Sequence, residues 1–326
     1  FVHYSSILSE GYKTLVEGQY VRFDLVRTDK GLQAKNVVEI KNLFYNCRHI
    51  QRIDISKFRT SQIKDLSGMF WGCIALESVD TSNIDTSSAT TIKELFYNCN
   101  SIRNIDLTNF NTSLASSMAG MFQGCTSLTE LNLSNWNTSS VTSYSNMFLA
   151  CKNLKYFNMP VGVTKIGSSA FSGCASLGEM YIPHGVTQLG YNNNSNTSPF
   201  NGCTNMYFVN TPGEAKPDVY YIPSSVEIVI GELFKGCQNL NNVIVFGEKI
   251  TSLENGWAFY NSNNIKVVFL GDMEKVSTTG NAWNSNVTIY AKWEKEVIYS
   301  EIVYELDGGV NAEGNPATYT VEDEIV

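Results

Sequence analysis

Gly120-Met-Phe-Gln-Gly-Cys125-Thr-Ser-Leu128-Thr-Glu-Leu131-Asn-Leu133 carries the pattern that organises most of the chain. Phe122 stands three residues before Cys125, and the same pair recurs as Phe44/Cys47, Phe70/Cys73, Phe96/Cys99, Phe148/Cys151, Phe171/Cys174, Phe200/Cys203 and Phe234/Cys237. These pairs account for all eight cysteines of the 326-residue chain, at intervals of 26, 26, 26, 26, 23, 29 and 34 residues. Phe259 opens a ninth unit, with Ser262 in the cysteine slot. A fixed period of about 20–50 residues marks a solenoid, whose units bury their apolar faces only against their neighbours. The paired phenylalanines and cysteines are therefore expected to form one continuous core spine.

Thiols confined to a single repeated slot are unlike the varied spacing of a disulfide framework. A stacked column also holds their Cβ vectors parallel, which disfavours bridging. The cysteines read as reduced, buried and small apolar fillers. No Cys-x-x-Cys occurs and His3, His49 and His184 are scattered, so no zinc site is expected.

Within one unit, apolar residues recur three, six and eight positions after the cysteine: Leu128/Leu131/Leu133, Ile50/Ile53/Ile55, Ile102/Ile105/Leu107 and Leu154/Phe157/Met159. The last two of each set alternate with polar residues, as in a half-buried strand. Phe58, Ile84, Phe110 or Trp136 follows, then a Thr-Ser pair at 60/61, 86/87, 112/113 and 138/139. Those hydroxyls suit helix N-caps. The run Ile63, Leu66, Met69, Phe70, repeated as Val141, Tyr144, Met147, Phe148, then predicts an amphipathic helix of about two turns. From about residue 155 the unit changes: Ile182-Pro-His-Gly-Val-Thr-Gln-Leu-Gly190 echoes Met159-Pro-Val-Gly-Val-Thr-Lys-Ile-Gly167 and Ile222-Pro-Ser-Ser-Val-Glu-Ile-Val-Ile-Gly231. Proline after the strand residue ends pairing there. Two inserts, Tyr191–Ser198 and Asn210–Asp218, read as surface loops.

These units resemble the leucine-rich repeats of BspA-type bacterial surface proteins. Residues 41–154 look like the 26-residue form and 155–290 like the 23-residue form. The resemblance implies an α/β repeat solenoid of about nine turns, with parallel stacked strands and short helices, used for adhesion or recognition. Flanking it are two partial all-β modules. Residues 1–40 (Phe-Val-His-Tyr-Ser-Ser-Ile, Gly-Tyr-Lys-Thr-Leu-Val-Glu-Gly-Gln and Lys-Gly-Leu-Gln-Ala-Lys-Asn-Val) resemble the later strands of a cold-shock domain, an OB-like fold. That resemblance implies Phe1, His3 and Tyr12 as base-stacking residues for single-stranded nucleic acid; alternation does put Phe1 and His3 on one face of a strand. Five acidic and five basic residues balance in this stretch, so it has no electrostatic footprint of its own. The alternative is a segment that caps the first turn. Ile302-Val-Tyr-Glu-Leu-Asp-Gly-Gly-Val-Asn311 and 315–323 resemble the Listeria–Bacteroides repeat, a β-grasp-like surface spacer. The expected division is 1–40 cold-shock-like, 41–293 solenoid and 294–326 spacer.

Net charge of −8 argues against a general binder of nucleic acid or anionic membrane. No apolar run approaches the eighteen or so residues of a membrane helix. The chain opens at Phe1 instead of Met and stops within a strand-like pattern at Val326, so it reads as part of a longer product. Metalloprotease, P-loop and nucleophile-elbow signatures are missing, and no enzyme activity or cofactor is expected.

Candidate ligand-binding residues lie on the outward side of the strands. Seven positions after each cysteine stand Asp54, Asp80, Asp106, Asn132 and Asn158, a polar column for a cation, a basic group or a sugar. Stacked carboxylates about 5 Å apart repel, and Arg52 and Arg103 are near enough to offset this. Tyr156, Tyr181 and Phe208 form an aromatic candidate patch suited to protein or glycan contact. The expected protein is a non-enzymatic bacterial surface or secreted recognition protein for an extracellular protein or glycan. A cytoplasmic nucleic-acid-binding protein is the alternative.

Overall fold

The computed structural model describes residues 42–254 except 54, 56–59, 142–143, 161, 191–197, 231–232, 241–242 and 248. Outside that span it describes the strands Val21–Thr28, Gly31–Glu39, Lys266–Phe269, Ser277–Thr278, Thr288–Lys292 and Tyr299–Val303. Among the described residues the array is a β-solenoid of about seven turns, and every regular element is a strand. The expected short helices are absent from these residues, and Phe259 of the ninth unit lies outside them.

The helix expectation fails for a reason visible in the backbone. The residues five and one before each cysteine take left-handed φ values: Gly68 (62°) and Gly72 (72°), Glu94 (52°) and Asn98 (55°), Gly120 (63°) and Gly124 (76°), Asn146 (58°) and Ala150 (64°). A left-handed residue every fourth position breaks a right-handed helix into single turns. Amides between them then reach sideways: Phe70 N–H donates to Leu95 O (3.0 Å), Phe96 to Met121 (2.9 Å) and Phe122 to Met147 (2.9 Å). The apolar spacing that imitates a helix is a corner, stacked turn upon turn. At Gly124 a side chain is excluded, since a Cβ there would stand 2.0 Å from Asn98 Oδ1.

The spine forms as the spacing predicts. Rings of Phe44, Phe70, Phe96, Phe122, Phe148, Phe171 and Phe200 stack in sequence with centroids 5.2–5.9 Å apart. Each such pair contributes about 0.5–1.5 kcal/mol beyond the area it buries. All eight cysteines are free, and those from Cys73 onward are buried. They are more than fillers. Each thiol donates to the carbonyl of the phenylalanine in the turn before: Cys73 to Phe44 (3.0 Å), Cys99 to Phe70 (3.1 Å), Cys125 to Phe96 (3.0 Å) and Cys151 to Phe122 (3.0 Å). The ladder continues through Cys174 to Phe148, Cys203 to Phe171 and Cys237 to Phe200.

The Thr-Ser pairs cap no helix. Thr60, Thr86, Thr112 and Thr138 are buried. Thr86 Oγ1 donates to Asn111 O (2.8 Å) and accepts Asn111 N–H (2.7 Å), and Thr60 does the same with Asp85 one turn earlier. These threonines staple successive turns together. Leu128, Leu131 and Leu133 point inward as the strand alternation requires. Trp136 is sealed, stacks on Phe110 (6.0 Å, 2°) and donates its Nε1–H to Leu107 O at 3.1 Å.

Strands after the cysteines pair in parallel: Arg52–Ile53 with Ser78–Val79, Glu130–Asn132 with Tyr156–Asn158, and Glu179–Met180 with Tyr207–Phe208. Where the period shortens, a second parallel sheet appears, from Lys165–Ile166 through Gln188–Leu189, Ile228–Ile230 and Ser252–Glu254 to Ser277–Thr278. A third runs Val219–Tyr221, Val243–Phe246, Lys266–Phe269, Thr288–Lys292, and Tyr299–Val303 adds to it antiparallel. The expected boundary at 293/294 thus falls between two strands of one sheet. Val21–Thr28 and Gly31–Glu39 form an antiparallel hairpin with an irregularity between Arg22 and Asp24.

Candidate recognition face

The polar column is in register where its strands are described: Asn132 lies opposite Asn158. Asp80, Asp106, Asn132 and Asn158 are all exposed, and Asp54 lies outside the described residues. Their side chains serve the chain itself. Asp80 Oδ1 accepts Ser82 N–H (3.0 Å), Asp106 Oδ1 accepts Thr108 N–H (2.9 Å) and its hydroxyl (2.7 Å), and Asn132 Oδ1 accepts Ser134 N–H (3.0 Å). These are Asx turns, in which a short polar side chain replaces a backbone acceptor. The Thr108 hydroxyl and amide hold the Asp106 carboxyl below its usual range. Among the described residues no group of three His, Cys, Asp or Glu side chains is placed to hold a metal ion.

The aromatic candidates separate. Tyr156 is 64% exposed, Tyr181 is half-buried, and Phe208 is sealed in the core, stacked on Tyr220 at 4.6 Å. Phe208 is therefore a packing residue, because its strand neighbour Tyr207 takes the outward position. Directly opposite Tyr156 on the adjoining strand stands exposed Glu130, and Tyr207 is opposite Glu179 in the same way. Carboxylates and tyrosines thus face each other along the outer side of the strands.

The insert Asn210–Asp218 bounds this face. Glu214 folds it: its carboxylate accepts the Asn210 amide and the Thr211 hydroxyl (2.8 Å), and those bonds lower its pKa. Gly213 N–H then donates to Glu179 Oε1 (2.7 Å), and Lys216 Nζ sits 5.6 Å from the Tyr207 ring centre. The insert is docked against the strand column by a carboxylate and a cation–π contact.

A second aromatic row escaped the sequence reading. Tyr45, Trp71 and Tyr97, each following a spine phenylalanine, stack at 4.5 and 5.0 Å, and Gln123 Nε2 donates to Tyr97 Oη. The signal was the repeated Phe-Tyr and Phe-Trp dipeptide. Since the rings cover one another's faces, this row presents edges outward.

No nucleophile is available on the described surface from the cysteines. Burial pushes the thiol of Cys73 up to about 11 and that of Cys125 up to about 12. Phe1, His3 and Tyr12 lie outside the described residues.

Comparison with known proteins divides the chain into three stretches. Residues 218–291 match the BspA type leucine rich repeat region, in six copies. This stretch is a BspA-type leucine-rich-repeat region. Residues 35–159, the block of 26-residue turns, match a family described as Mycoplasma protein of unknown function, DUF285. Residues 1–40 match the 'Cold-shock' DNA-binding domain. They are 58% identical over 40 residues to cold shock protein CspA of Staphylococcus saprophyticus, covering 12% of this chain and 61% of that protein. The same stretch is 58% identical to cold shock-like protein CspG of Shewanella violacea, covering 12% of this chain and 57% of the relative. The chain therefore spans about three fifths of the curated relatives it matches. A solved leucine-rich repeat protein from Bacteroides ovatus aligns at 15% identity and a TM-score of 0.37, over 85% of this chain and 90% of the other.

Proposed function

We propose that the chain is a non-catalytic recognition protein, displayed on or secreted from a bacterial cell, that binds a protein or glycan through the outer side of its strands. The observation that carries this reading is Tyr156, 64% exposed opposite Glu130. An exposed aromatic ring beside carboxylate acceptors offers apolar contact and hydrogen bonding at one place. Asn158 and Tyr181 extend the patch, and Asp80, Asp106 and Asn132 continue it towards the N-terminal turns. The match of residues 218–291 to the BspA type region supports a surface role, and residues 294–326 fit a spacer of Listeria–Bacteroides type. In this reading residues 1–40, 41–293 and 294–326 are the functional divisions.

The test is a glycan and matrix-protein array probed with the full chain and with Tyr156→Ala. The reading expects a ligand whose binding falls about tenfold or more in the variant, without a change in melting temperature. Equal binding by both proteins would contradict it.

A second reading has its own support: the cold-shock match over residues 1–40 favours single-stranded nucleic acid as a partner, with Phe1, His3 and Tyr12 as stacking residues. Titration of a labelled pyrimidine-rich oligonucleotide into wild type and His3→Ala separates the two readings.

A further inference from the structure

The first turn of the solenoid is covered differently from those that follow. Leu43, Phe44, Cys47 and Ile50 are half-buried, whereas their counterparts one turn on, Met69, Phe70, Cys73 and Leu76, are sealed. Tyr45, at the head of the outer aromatic row, is 50% exposed. A repeat array leaves such an apolar end unless something closes it.

What precedes this end is already in step with it. Asp65, Thr91 and Ser117 bridge in parallel, turn to turn, at 26-residue spacing. Glu39, the last residue of strand Gly31–Glu39, falls 26 residues before Asp65 and so occupies the next place in that column. The corner then begins at once, with Asn42 N–H donating to Ser67 O (3.3 Å) as Gly68 does to Lys93 (3.0 Å). The segment Ile40–Cys47 reads as Ile92–Cys99 with a single difference, Asn42 for Glu94. The two family matches overlap here too: the repeat match starts at residue 35, inside that strand, and the cold-shock match runs to residue 40.

We propose that the cold-shock-like segment, residues 1–41, is the N-terminal cap of the solenoid, its hairpin Val21–Glu39 feeding the Asp65 column and the segment closing over Phe44, Cys47 and Ile50. The occupant is this chain's own N-terminal segment because a strand that ends in register with the column leaves no free tether to carry it elsewhere. The role does not depend on the recognition reading. It makes the segment a structural closure.

Cys47 reports on this directly. Native full-length protein is treated with a maleimide and labelled sites are located by mass spectrometry, alongside a variant lacking residues 1–34. The cap predicts that Cys47 in the full chain reacts about 100-fold slower than a free thiol, as a protected group opening only by local unfolding does. It predicts selective labelling of Cys47 in the shortened variant, with Cys99 and Cys125 still protected. Labelling of all eight thiols together in that variant also supports the cap, since removal of a non-contacting tail would not unfold the array. Free-thiol reactivity of Cys47 in the full chain, or an unchanged rate after deletion, overturns it. Protection that disappears on dilution overturns it as well, by assigning this face to a second copy of the chain.

Discussion

Cys125 donates its thiol proton to the carbonyl oxygen of Phe96 across 3.0 Å, and that oxygen also accepts the amide of Cys99 at 3.1 Å. One carbonyl thus closes its own corner and fastens the next. Repeated from Cys73 to Cys237, this arrangement explains why the slot keeps cysteine: it needs a small apolar body with a weak donor. Cys125→Ala removes the donor and leaves a small void, so stability to urea falls by about 1–2 kcal/mol. A variant as stable as wild type would show that the thiol is only filler.

Alkaline pH tests the same column. Burial raises the thiols of Cys125 and Cys237 from 9.0 to about 12, so these groups are neutral in the folded chain where the unfolded chain has lost their protons. The unfolded state then binds fewer protons, and stability falls as pH rises. The contribution is whole below pH 9.0 and is lost between 9.0 and about 12. Melting temperatures under reducing conditions at pH 7.5, 9 and 10.5 should drop over the last interval; a flat or rising profile would contradict the burial.

Ala150 holds a φ of 64°, in the place filled by Gly124 and Gly173 in adjacent turns. A left-handed non-glycine residue costs about 1–2 kcal/mol, against about 0.5–1 kcal/mol for the extra freedom of an unfolded glycine. Ala150→Gly is therefore expected to stabilise the protein by about 0.5–1 kcal/mol. Destabilisation on thermal unfolding would mean that the corner is not left-handed at this residue.

Thr86 is both donor to and acceptor from Asn111 across one turn. Thr86→Val keeps the shape and strands both backbone groups of Asn111, lowering stability by about 1–3 kcal/mol, while Thr86→Ser loses less. Chemical denaturation of the two variants distinguishes a staple from a space-filler: equal losses would point to packing alone.

The stack was legible because the spine residues report it twice, in identity and in spacing. Phe96 and Cys99 recur where they must touch Phe70 and Phe122, and nothing but a coil brings residues 26 apart into repeated contact. The corner was misread because Leu66, Met69 and Phe70 have helical spacing, while the decisive signal lay in the small or polar residues beside them. Asn98, Gly124 and Ala150 share only a tolerance for positive φ, which periodicity of apolar residues does not register. Thr86 was taken for a cap because Thr-Ser before an apolar run suits both a cap and a staple; only its partner 25 residues away decides. On the candidate face, Asp80 and Asp106 were found as a column, but their bonds to Ser82 and Thr108 turn them inward on their own loops. The place of Tyr156 opposite Glu130 followed from register, and the docking of the 210–218 insert did not, since contacts such as Gly213 to Glu179 span 34 residues of irregular chain.

Thiol titration with a chromogenic disulfide tests the central claim most directly. With a spine of stacked Phe-x-x-Cys corners, the denatured, unreduced protein yields eight thiols, and the native protein keeps the seven from Cys73 to Cys237 unreactive until it unfolds. Fewer than eight on denaturation, or prompt native reaction of thiols such as Cys99 and Cys125, would mean that these sulfurs are cross-linked or facing water and that the coil is not built this way.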